Sequence, residues 1–243
     1  MNYAIIAAGE GSRLAQEGVQ LPKPLVRLNG EPMIGRLVHI FERCGAGTIT
    51  IIVNEFMHEV QDYLRQLRRD VPSLQVVVKT TPSSMHSFWE LSKVMGKGRF
   101  CLTTVDTIFR EEDFARYIHA FEQAPPQCDG MWAVTPFVDD EKPLWVDVDE
   151  PSMAIRAFLD APTADRPLKY VSGGIYAMSD SAFEVLDRCI AQGVSRMRNF
   201  QRALVAAGYR LQAFSIPKIV DVDHAADIAT AQRFLSSQPQ ATN

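Results

Sequence analysis

Short apolar runs alternate with amphipathic stretches through the first half of the chain. The runs YAIIAA, TITIIV, LQVVV and RFCLTTV are apolar at successive positions, which is typical of parallel strands buried on both faces. Between them lie four stretches with apolar residues at helical spacing: PMIGRLVHIFERCG, EVQDYLRQLRRD, HSFWELSKVMG and EEDFARYIHAFEQ. Alternating strand and helix predicts a doubly wound parallel sheet.

The second half of the chain does not alternate strand and helix in the same way. The strand-like segments GMWAVTPFV, LWVDVDE, AIRAFLD and LKYVSGGIYAM follow one another with little helix between them, which predicts a mixed or antiparallel extension of the sheet. Two helices, DSAFEVLDRCIAQG and one around NFQRALVAAG, precede the strand LQAFSI. The closing segment DHAADIATAQRFLSS predicts a last helix that is capped near Asp223.

These patterns together predict the fold class. We expect an α/β protein with three α/β/α layers, a mostly parallel, Rossmann-like central sheet and a mixed or antiparallel extension in the second half. Neither repeats nor a low-complexity linker divide the chain, so we predict a single domain over residues 1–236. Residues 237–243, SQPQATN, are polar, and we predict that they form a disordered tail.

Composition narrows the class of partner. Lys and Arg total 25 against 29 Asp and Glu, a net charge of -4, which argues against a duplex nucleic acid or an anionic membrane as main partner. A small anionic substrate needs only a few cations in one pocket. Because the chain has neither a basic leader nor a run long enough to span a bilayer, we expect a cytoplasmic protein. Its four cysteines lie far apart, which indicates reduced thiols and not a zinc site.

The stretch AAGEGSRLAQEGVQLPKPLV, residues 7–26, carries the clearest candidate chemistry. A glycine-rich turn after a buried strand, at the carboxyl edge of a parallel sheet, leaves backbone amides free to meet phosphate oxygens. Gly9 and Gly11 would permit that approach, and Arg13 and Lys23 would add two cations. A tight connection without a ligand is the alternative for the glycines alone.

Two common phosphate loops do not match this stretch. The dinucleotide fingerprint requires a third glycine where this chain has Leu14. The mononucleotide P-loop requires Gly-Lys-Ser or Gly-Lys-Thr, which the stretch lacks. Instead Lys23 stands between Pro22 and Pro24.

Several motifs together resemble a known family. AAGEGSRL, followed by PKPLV and NGEPMIGR, resembles the signature of the nucleotidyltransferases of GT-A-like fold that activate sugar phosphates and related phosphorylated acceptors with an NTP. TTVDTIF lies where these enzymes carry a metal-binding aspartate, and VDVDHAADIATA resembles their closing segment. The serine-rich segment KTTPSSMHSFWEL is more similar to cytidylyltransferases acting on phosphocholine and similar small phosphates than to glucose-1-phosphate enzymes.

The resemblance implies roles for particular residues. Arg13 would bind the β- and γ-phosphates, and Lys23 the phosphates nearer the reacting centre. Asp106 and Asp223 would hold Mg²⁺, and Asp221 is the weaker candidate ligand. Two carboxylates from strand ends suit that ion. Arg13, Lys23 and Asp106 are the implied catalytic residues. The implied nucleotide-binding set is Ala8, Gly9, Gly11, Ser12, Arg13, Lys23, Thr81 and Ser84.

The acceptor is harder to place. Gly173 and Gly174 interrupt the strand-like run YVSGGIY, where adjacent glycines indicate either the close approach of a ligand or a bulge. We take these two glycines as candidates for the acceptor pocket. The Glu-Lys-Pro triplet of related enzymes occurs here at 141–143, earlier than the usual order places it. The segment FLDAP is nearer the expected place but lacks the lysine, which leaves the partner of the acceptor's phosphate unidentified.

We therefore expect transfer of NMP from an NTP to a sugar 1-phosphate or a small phosphorylated alcohol, with release of pyrophosphate. One alternative is a GT-A-like glycosyltransferase that uses a nucleotide-sugar donor. PKPLV argues against it, since a diphosphate donor does not need a triphosphate loop with a fixed lysine. A non-catalytic nucleotide-binding domain is the other alternative. The sequence leaves the base, the acceptor and the oligomeric state open.

Overall fold

The computed structural model describes residues 1–164 and 167–237. Within them the helices are α1 Ser12–Gln16, α2 Met33–Arg43, α3 His58–Asp70, α4 Ser84–Ser92, α5 Glu111–Glu122, α6 Ala182–Ala191, α7 Met197–Ala206 and α8 Ala225–Ser236. The strands are β1 Asn2–Ala7, β2 Arg27–Leu28, β3 Glu31–Pro32, β4 Thr48–Val53, β5 Leu74–Val78, β6 Arg99–Thr104, β7 Thr107–Ile108, β8 Gly130–Thr135, β9 Trp145–Asp149, β10 Ala154–Leu159, β11 Tyr170–Ser179, β12 Leu211–Ser215 and β13 Val220–Asp221. No helix in this part of the chain is long and apolar enough to cross a lipid bilayer.

One large sheet organises the described residues. Its strands lie in the order β5-β4-β1-β6-β11-β8-β12-β10-β9. The first four are parallel, as the alternation of strand and helix predicts. From β11 onward the neighbours are antiparallel except for the parallel pair β8 and β12. The mixed α/β class and the mixed extension are therefore confirmed. The sheet as a whole is not mostly parallel, which differs from the prediction.

Both faces of the central strand β1 are buried, which explains its run of apolar residues. Tyr3, Ile5 and Ala7 enter one hydrophobic cluster, with residues of α2, α3, α5 and α8. The alternate residues Ala4 and Ile6 enter a second cluster, with residues of α4, α6 and α7. Because successive side chains of a strand point to opposite faces, each face of β1 is covered by helices.

Two small features bring the polar residues of distant segments together. The turn after β6 continues into β7, which pairs with β13, so that Thr107 lies opposite Asp221. The amide of Val222 also donates to the carbonyl of Asp106 over 3.1 Å. These contacts join residues more than a hundred positions apart at the carboxyl end of the parallel strands, where ligands bind in open α/β sheets.

The sequence did not predict the short elements α1, β2, β3, β7 and β13, which are too short for a periodic signal. The last helix begins one residue later than expected, because His224 is its N-cap and Asp227 accepts the His224 amide. Of the tail predicted over 237–243, only Ser237 lies among the described residues, and its amide donates to Arg233. The single domain over 1–236 stays a prediction.

Candidate nucleotide and acceptor site

The glycine-rich loop follows β1 directly and packs against Lys23. Gly11 has φ +64°, and a Cβ placed on it would lie 2.8 Å from the Cβ of Lys23. An L-residue here would thus be strained and would displace the lysine. A Cβ on Gly9 would meet nothing within 4 Å, so open space adjoins that residue.

Lys23 is held at the start of a 3₁₀ turn that covers Lys23–Leu25. Its side chain is only 10% exposed, and its Nζ lies 2.5 Å from Oδ2 of Asp106 and 2.6 Å from Oδ1 of Asp223. Burial alone would lower the pKa of Lys23, but the two carboxylates outweigh it and raise that pKa. Arg13 completes the group, since its Nη1 donates to Oδ2 of Asp223 over 2.8 Å. The lysine is therefore charged and shared between two acidic groups.

Three carboxylates converge beside Lys23. Oxygen atoms of Asp106, Asp221 and Asp223 all lie within 4.8 Å of one another. Oδ1 of Asp221 is buried and has no hydrogen-bond partner in the described part of the chain. Burial and the charge of Asp106 raise the pKa of Asp221 well above its usual range. An orphaned buried carboxylate oxygen next to two other carboxylates is a donor set that fits a hard cation such as Mg²⁺.

This geometry changes the ranking of the metal candidates. The sequence put Asp221 behind Asp223, yet Asp223 is engaged by Lys23 and Arg13 while Asp221 has a free oxygen. Burial would raise the pKa of Asp223, but its hydrogen bond from Lys23 and the nearby cations lower it below the usual range. We therefore treat all three aspartates as candidate ligands.

Replacing Asp221 with asparagine is expected to stabilise the metal-free protein at pH 7 while removing a candidate ligand. The raised pKa means that ionised Asp221 is less favourable in the folded than in the unfolded state, so this group destabilises the fold increasingly as pH rises above its unfolded pKa of about 4. We expect Asp221→Asn to raise Tm in EDTA by a few degrees at pH 7, each kcal/mol being worth roughly 2–4 °C. The gain should shrink toward pH 4.5, and a lower Tm at pH 7 would contradict the assignment.

Two clefts meet at this acidic cluster. The first has a volume of about 530 Å³ and the second of about 420 Å³. They share Ser84, Thr104, Asp106 and Asp223 as lining residues. Each residue predicted to bind nucleotide, namely Ala8, Gly9, Gly11, Ser12, Arg13, Lys23, Thr81 and Ser84, lines the first cleft. The residues that the sequence analysis singled out for the nucleotide therefore line one continuous surface.

The first cleft also includes Asn54, which the sequence analysis did not single out. Asn54 is buried at the end of β4, and its Oδ1 accepts hydrogen bonds from the Phe56 amide and from the Thr80 hydroxyl. Its position directly after an apolar strand was the available signal. Ser83 is the N-cap of α4, but its hydroxyl pairs with His86 instead of capping a backbone amide.

The second cleft includes Gly173 and Gly174, but for a reason other than the one expected. A Cβ on Gly174, whose φ is +74°, would clash with the Thr107 hydroxyl, and a Cβ on Gly173 would clash with Ile219. The glycines are needed where β11 loses its regular register with β8 and packs tightly against the protein itself. An added methyl group would strain the fold and would not fill space meant for an acceptor.

The start of α7 supplies the cations of the second cleft, which the sequence analysis did not single out. Arg196 is exposed, has φ +72° and shows no ion pair among the residues described. Arg198 also lines the cleft but is bound to Asp160 and to the carbonyl of Lys142. No side chain caps α7, so its first amides and Arg196 together favour an anion. The paired arginines in SRMRNF were the available signal.

Comparison with known proteins agrees with the fold and the motifs. A 2-aminoethylphosphonate cytidylyltransferase from Lancefieldella rimae is 26% identical over 124 residues, which cover 51% of this chain and 48% of that protein. A choline-phosphate cytidylyltransferase from Streptococcus pneumoniae is 26% identical over 179 residues, covering 70% of this chain and 75% of that one. The chain therefore aligns with only about half the length of the first of these relatives.

Solved structures show the same architecture. The inositol-1-phosphate CTP transferase from T. maritima matches with a TM-score of 0.76 at 16% identity, covering 97% of this chain and 98% of that one. At this identity the match shows the fold alone. The model of the MobA-like NTP transferase domain matches residues 3–207. The resemblance inferred from the motifs is confirmed, and the chain belongs to the MobA-like NTP transferase family.

Proposed function

We propose that this protein is a CTP-dependent nucleotidyltransferase, which transfers CMP to a small phosphate- or phosphonate-bearing acceptor and releases pyrophosphate. One observation carries the proposal: at the junction of two clefts, Lys23 is shared between Asp106 and Asp223 beside a third carboxylate. A cation and a potential metal site at one junction suit a reaction that joins two anionic substrates.

The first cleft is the proposed nucleotide site. Its glycine loop leaves open space at Gly9 for the nucleotide, and Arg13 and Lys23 provide positive charge for the triphosphate. Asp106, Asp221 and Asp223 would hold Mg²⁺, which when bound would act as a Lewis acid toward the phosphate oxygens. Lys23, whose Nζ lies beside Asp106 and Asp223 at the junction, would contact the phosphates near the reacting centre. Lys23 then offsets charge that develops on the α-phosphate.

The second cleft is the proposed acceptor site. Arg196 and the N-terminus of α7 hold the acceptor's phosphate or phosphonate, the partner that the sequence analysis left unidentified. An oxygen of that group attacks the α-phosphorus, the bond to the leaving pyrophosphate breaks, and no general base is needed because the nucleophile is already an anion. Positioning and electrostatics supply the rate, as is usual for phosphoryl chemistry.

The choice of CTP rests on the relatives. Both curated relatives described above are cytidylyltransferases, one for 2-aminoethylphosphonate and one for choline phosphate. The serine-rich segment at the start of α4, which lines the first cleft, points to the same branch. A nucleotide-sugar glycosyltransferase is less well supported, because Lys23 and Arg13 provide more positive charge than a diphosphate donor requires.

Pyrophosphate release, measured across ATP, CTP, GTP and UTP with a panel of acceptors, tests the proposal. The panel includes 2-aminoethylphosphonate, phosphocholine, glucose 1-phosphate and glycerol 3-phosphate. We expect release with CTP and Mg²⁺, dependent on an acceptor, and little release with EDTA. Absence of release with every pair would overturn the proposal. Release with another nucleotide only would refute the assignment of CTP.

A further inference from the structure

We propose, on the basis of the function above, that Thr104 is a further catalytic residue, whose hydroxyl donates a hydrogen bond to a non-bridging oxygen of the α-phosphate. Thr107, which is buried next to it, is a positioning residue that sets the direction of this donor. The sequence analysis singled out neither threonine, although both lie in the segment TTVDTIF around Asp106.

Thr104 lies where the two clefts meet. It is the last residue of β6, is half-buried and, like Asp106 and Asp223, lines both clefts. Those two aspartates also hold Nζ of Lys23 between them. The α-phosphate would lie at this junction, because it is the group of the nucleotide that the acceptor's oxygen attacks from the second cleft. The Thr104 side chain therefore belongs to the part of the site where bonds form and break.

The Thr107 hydroxyl has a single hydrogen-bond partner in the described part of the chain. Its Oγ1 lies 2.8 Å from Oγ1 of Thr104, and the pair allows either oxygen to donate. Thr107 belongs to the wall of the second cleft but is only 3% exposed. A buried hydroxyl hydrogen without an acceptor costs free energy, so the hydrogen of Thr107 points to Thr104.

Gly174 fixes Thr107 in this position. The ladder between β6 and β11 ends with Ile175 opposite Thr103, and the residue before Ile175 is Gly174, with φ +74°. A Cβ on Gly174 would clash with the Thr107 hydroxyl. The glycine therefore lets the backbone of β11 close over that hydroxyl, which leaves Thr104 as its acceptor.

This arrangement leaves the hydrogen of Thr104 available to a substrate. Only one hydrogen lies between two paired hydroxyl oxygens, so while Thr107 donates, Thr104 donates elsewhere. Oγ1 of Thr104 has no other partner among residues 1–164 and 167–237. A donor held in advance toward an oxygen that gains negative charge lowers the barrier, because it needs no reorganisation during the reaction.

Variants of Thr104 test the proposal through pyrophosphate release with CTP and the best acceptor of the panel. Thr104→Val keeps the shape of the side chain without its hydroxyl, and we expect kcat to fall by about 10- to 100-fold. Thr104→Ser should recover most of that loss. The Kd for CTP from calorimetry should change by less than about threefold, because the contact strengthens mainly in the transition state. Thr48→Val, which removes a hydroxyl bonded to Asn2 at the start of β4, is the matched control.

Sulfur on the α-phosphate tests the contact itself. The two diastereomers of cytidine 5′-(1-thiotriphosphate) replace the two non-bridging oxygens in turn, and sulfur is a weak hydrogen-bond acceptor. With one diastereomer, kcat should fall less in Thr104→Val than in the wild type, because the variant has already lost the contact. Equal fractional losses in the two proteins with both diastereomers would overturn the inference.

Thr107→Val tests the positioning role. Without the Thr107 donor, the Thr104 hydroxyl is no longer directed to the junction, so we expect kcat to fall by about 3- to 10-fold. Thr107→Ser keeps the donor and should recover most of that loss. Wild-type kcat in a folded Thr107→Val protein would overturn the role given to Thr107.

The outcomes separate this inference from the function on which it rests. Wild-type kcat in a folded Thr104→Val protein would overturn the inference while CMP transfer stands. If thermal melts show that Thr104→Val does not fold, Thr104→Ser and Thr104→Ala decide, and equal kcat values in these two would overturn it. No pyrophosphate release by the wild type with any nucleotide and acceptor would overturn the proposed function as well.

Discussion

Replacing Asp106 with asparagine is expected to lower kcat by about three orders of magnitude, or about 4 kcal/mol of barrier, without unfolding the protein. Asp106 lies two residues after the end of β6, lines both clefts and contacts Lys23 through one carboxylate oxygen. Asparagine keeps the shape but removes the charge that would hold Mg²⁺. Binding of the metal should therefore weaken much more than the fold.

Thermal melts distinguish the loss of metal binding from a folding defect. Mg²⁺ with CTP should raise the Tm of the wild type markedly, because a ligand that binds only the folded state stabilises it by mass action. The same addition should have a much smaller effect on Asp106→Asn. Asp70→Asn, at the exposed C-terminal end of α3, is the control and should behave like the wild type. Equal stabilisation of Asp106→Asn and wild type would refute the metal site.

Replacing Lys23 with alanine is expected to lower kcat/KM by about 10- to 100-fold, since one charge-assisted phosphate contact contributes roughly 1.5–3 kcal/mol. It should also lower Tm in the absence of metal, because Asp106 and Asp223 lose their shared cation. The pKa of Lys23 is raised, so its contribution is fully present below the unfolded value of about 10.4 and is lost only at higher pH. At pH 7 the full effect should be seen.

Added Mg²⁺ distinguishes the two roles of Lys23. In the variant, the carboxylates have no lysine between them, so Mg²⁺ should recover more of the lost Tm than it adds to the wild type. Turnover should stay low, because the metal does not replace the phosphate contact. Lys97→Ala, an exposed lysine before β6, is the matched control. Wild-type turnover in a folded Lys23→Ala protein would refute the phosphate assignment.

Much of the parallel half of the fold was predictable because its signals are local. A strand buried on both faces must be apolar at most successive residues, and β1, β4 and β6 are. The edge strand β5 was predicted in the same way, but its Gln75 and Val78 are exposed. The helices between them show their buried stripe in the sequence. For the second half we predicted only a mixed extension and not the antiparallel pairing of β11 with β6 and β8. Which strands pair depends on contacts between distant segments, and local sequence patterns do not show these contacts.

For the candidate site too, some features were evident from the sequence and others only from the tertiary structure. The sequence by itself identified the glycine loop, Arg13, Lys23 and the aspartates at strand ends as candidates, because each lies in a short motif whose residue types suit phosphate or metal. Only the tertiary structure decided that Lys23 and Asp223, separated by 200 positions, share a hydrogen bond. It also decided that Asp221 has an orphaned oxygen, that Gln201 is buried in the second cleft, and that Gly174 packs on Thr107. Burial and partner atoms are properties of the folded chain, and residue type alone does not encode them.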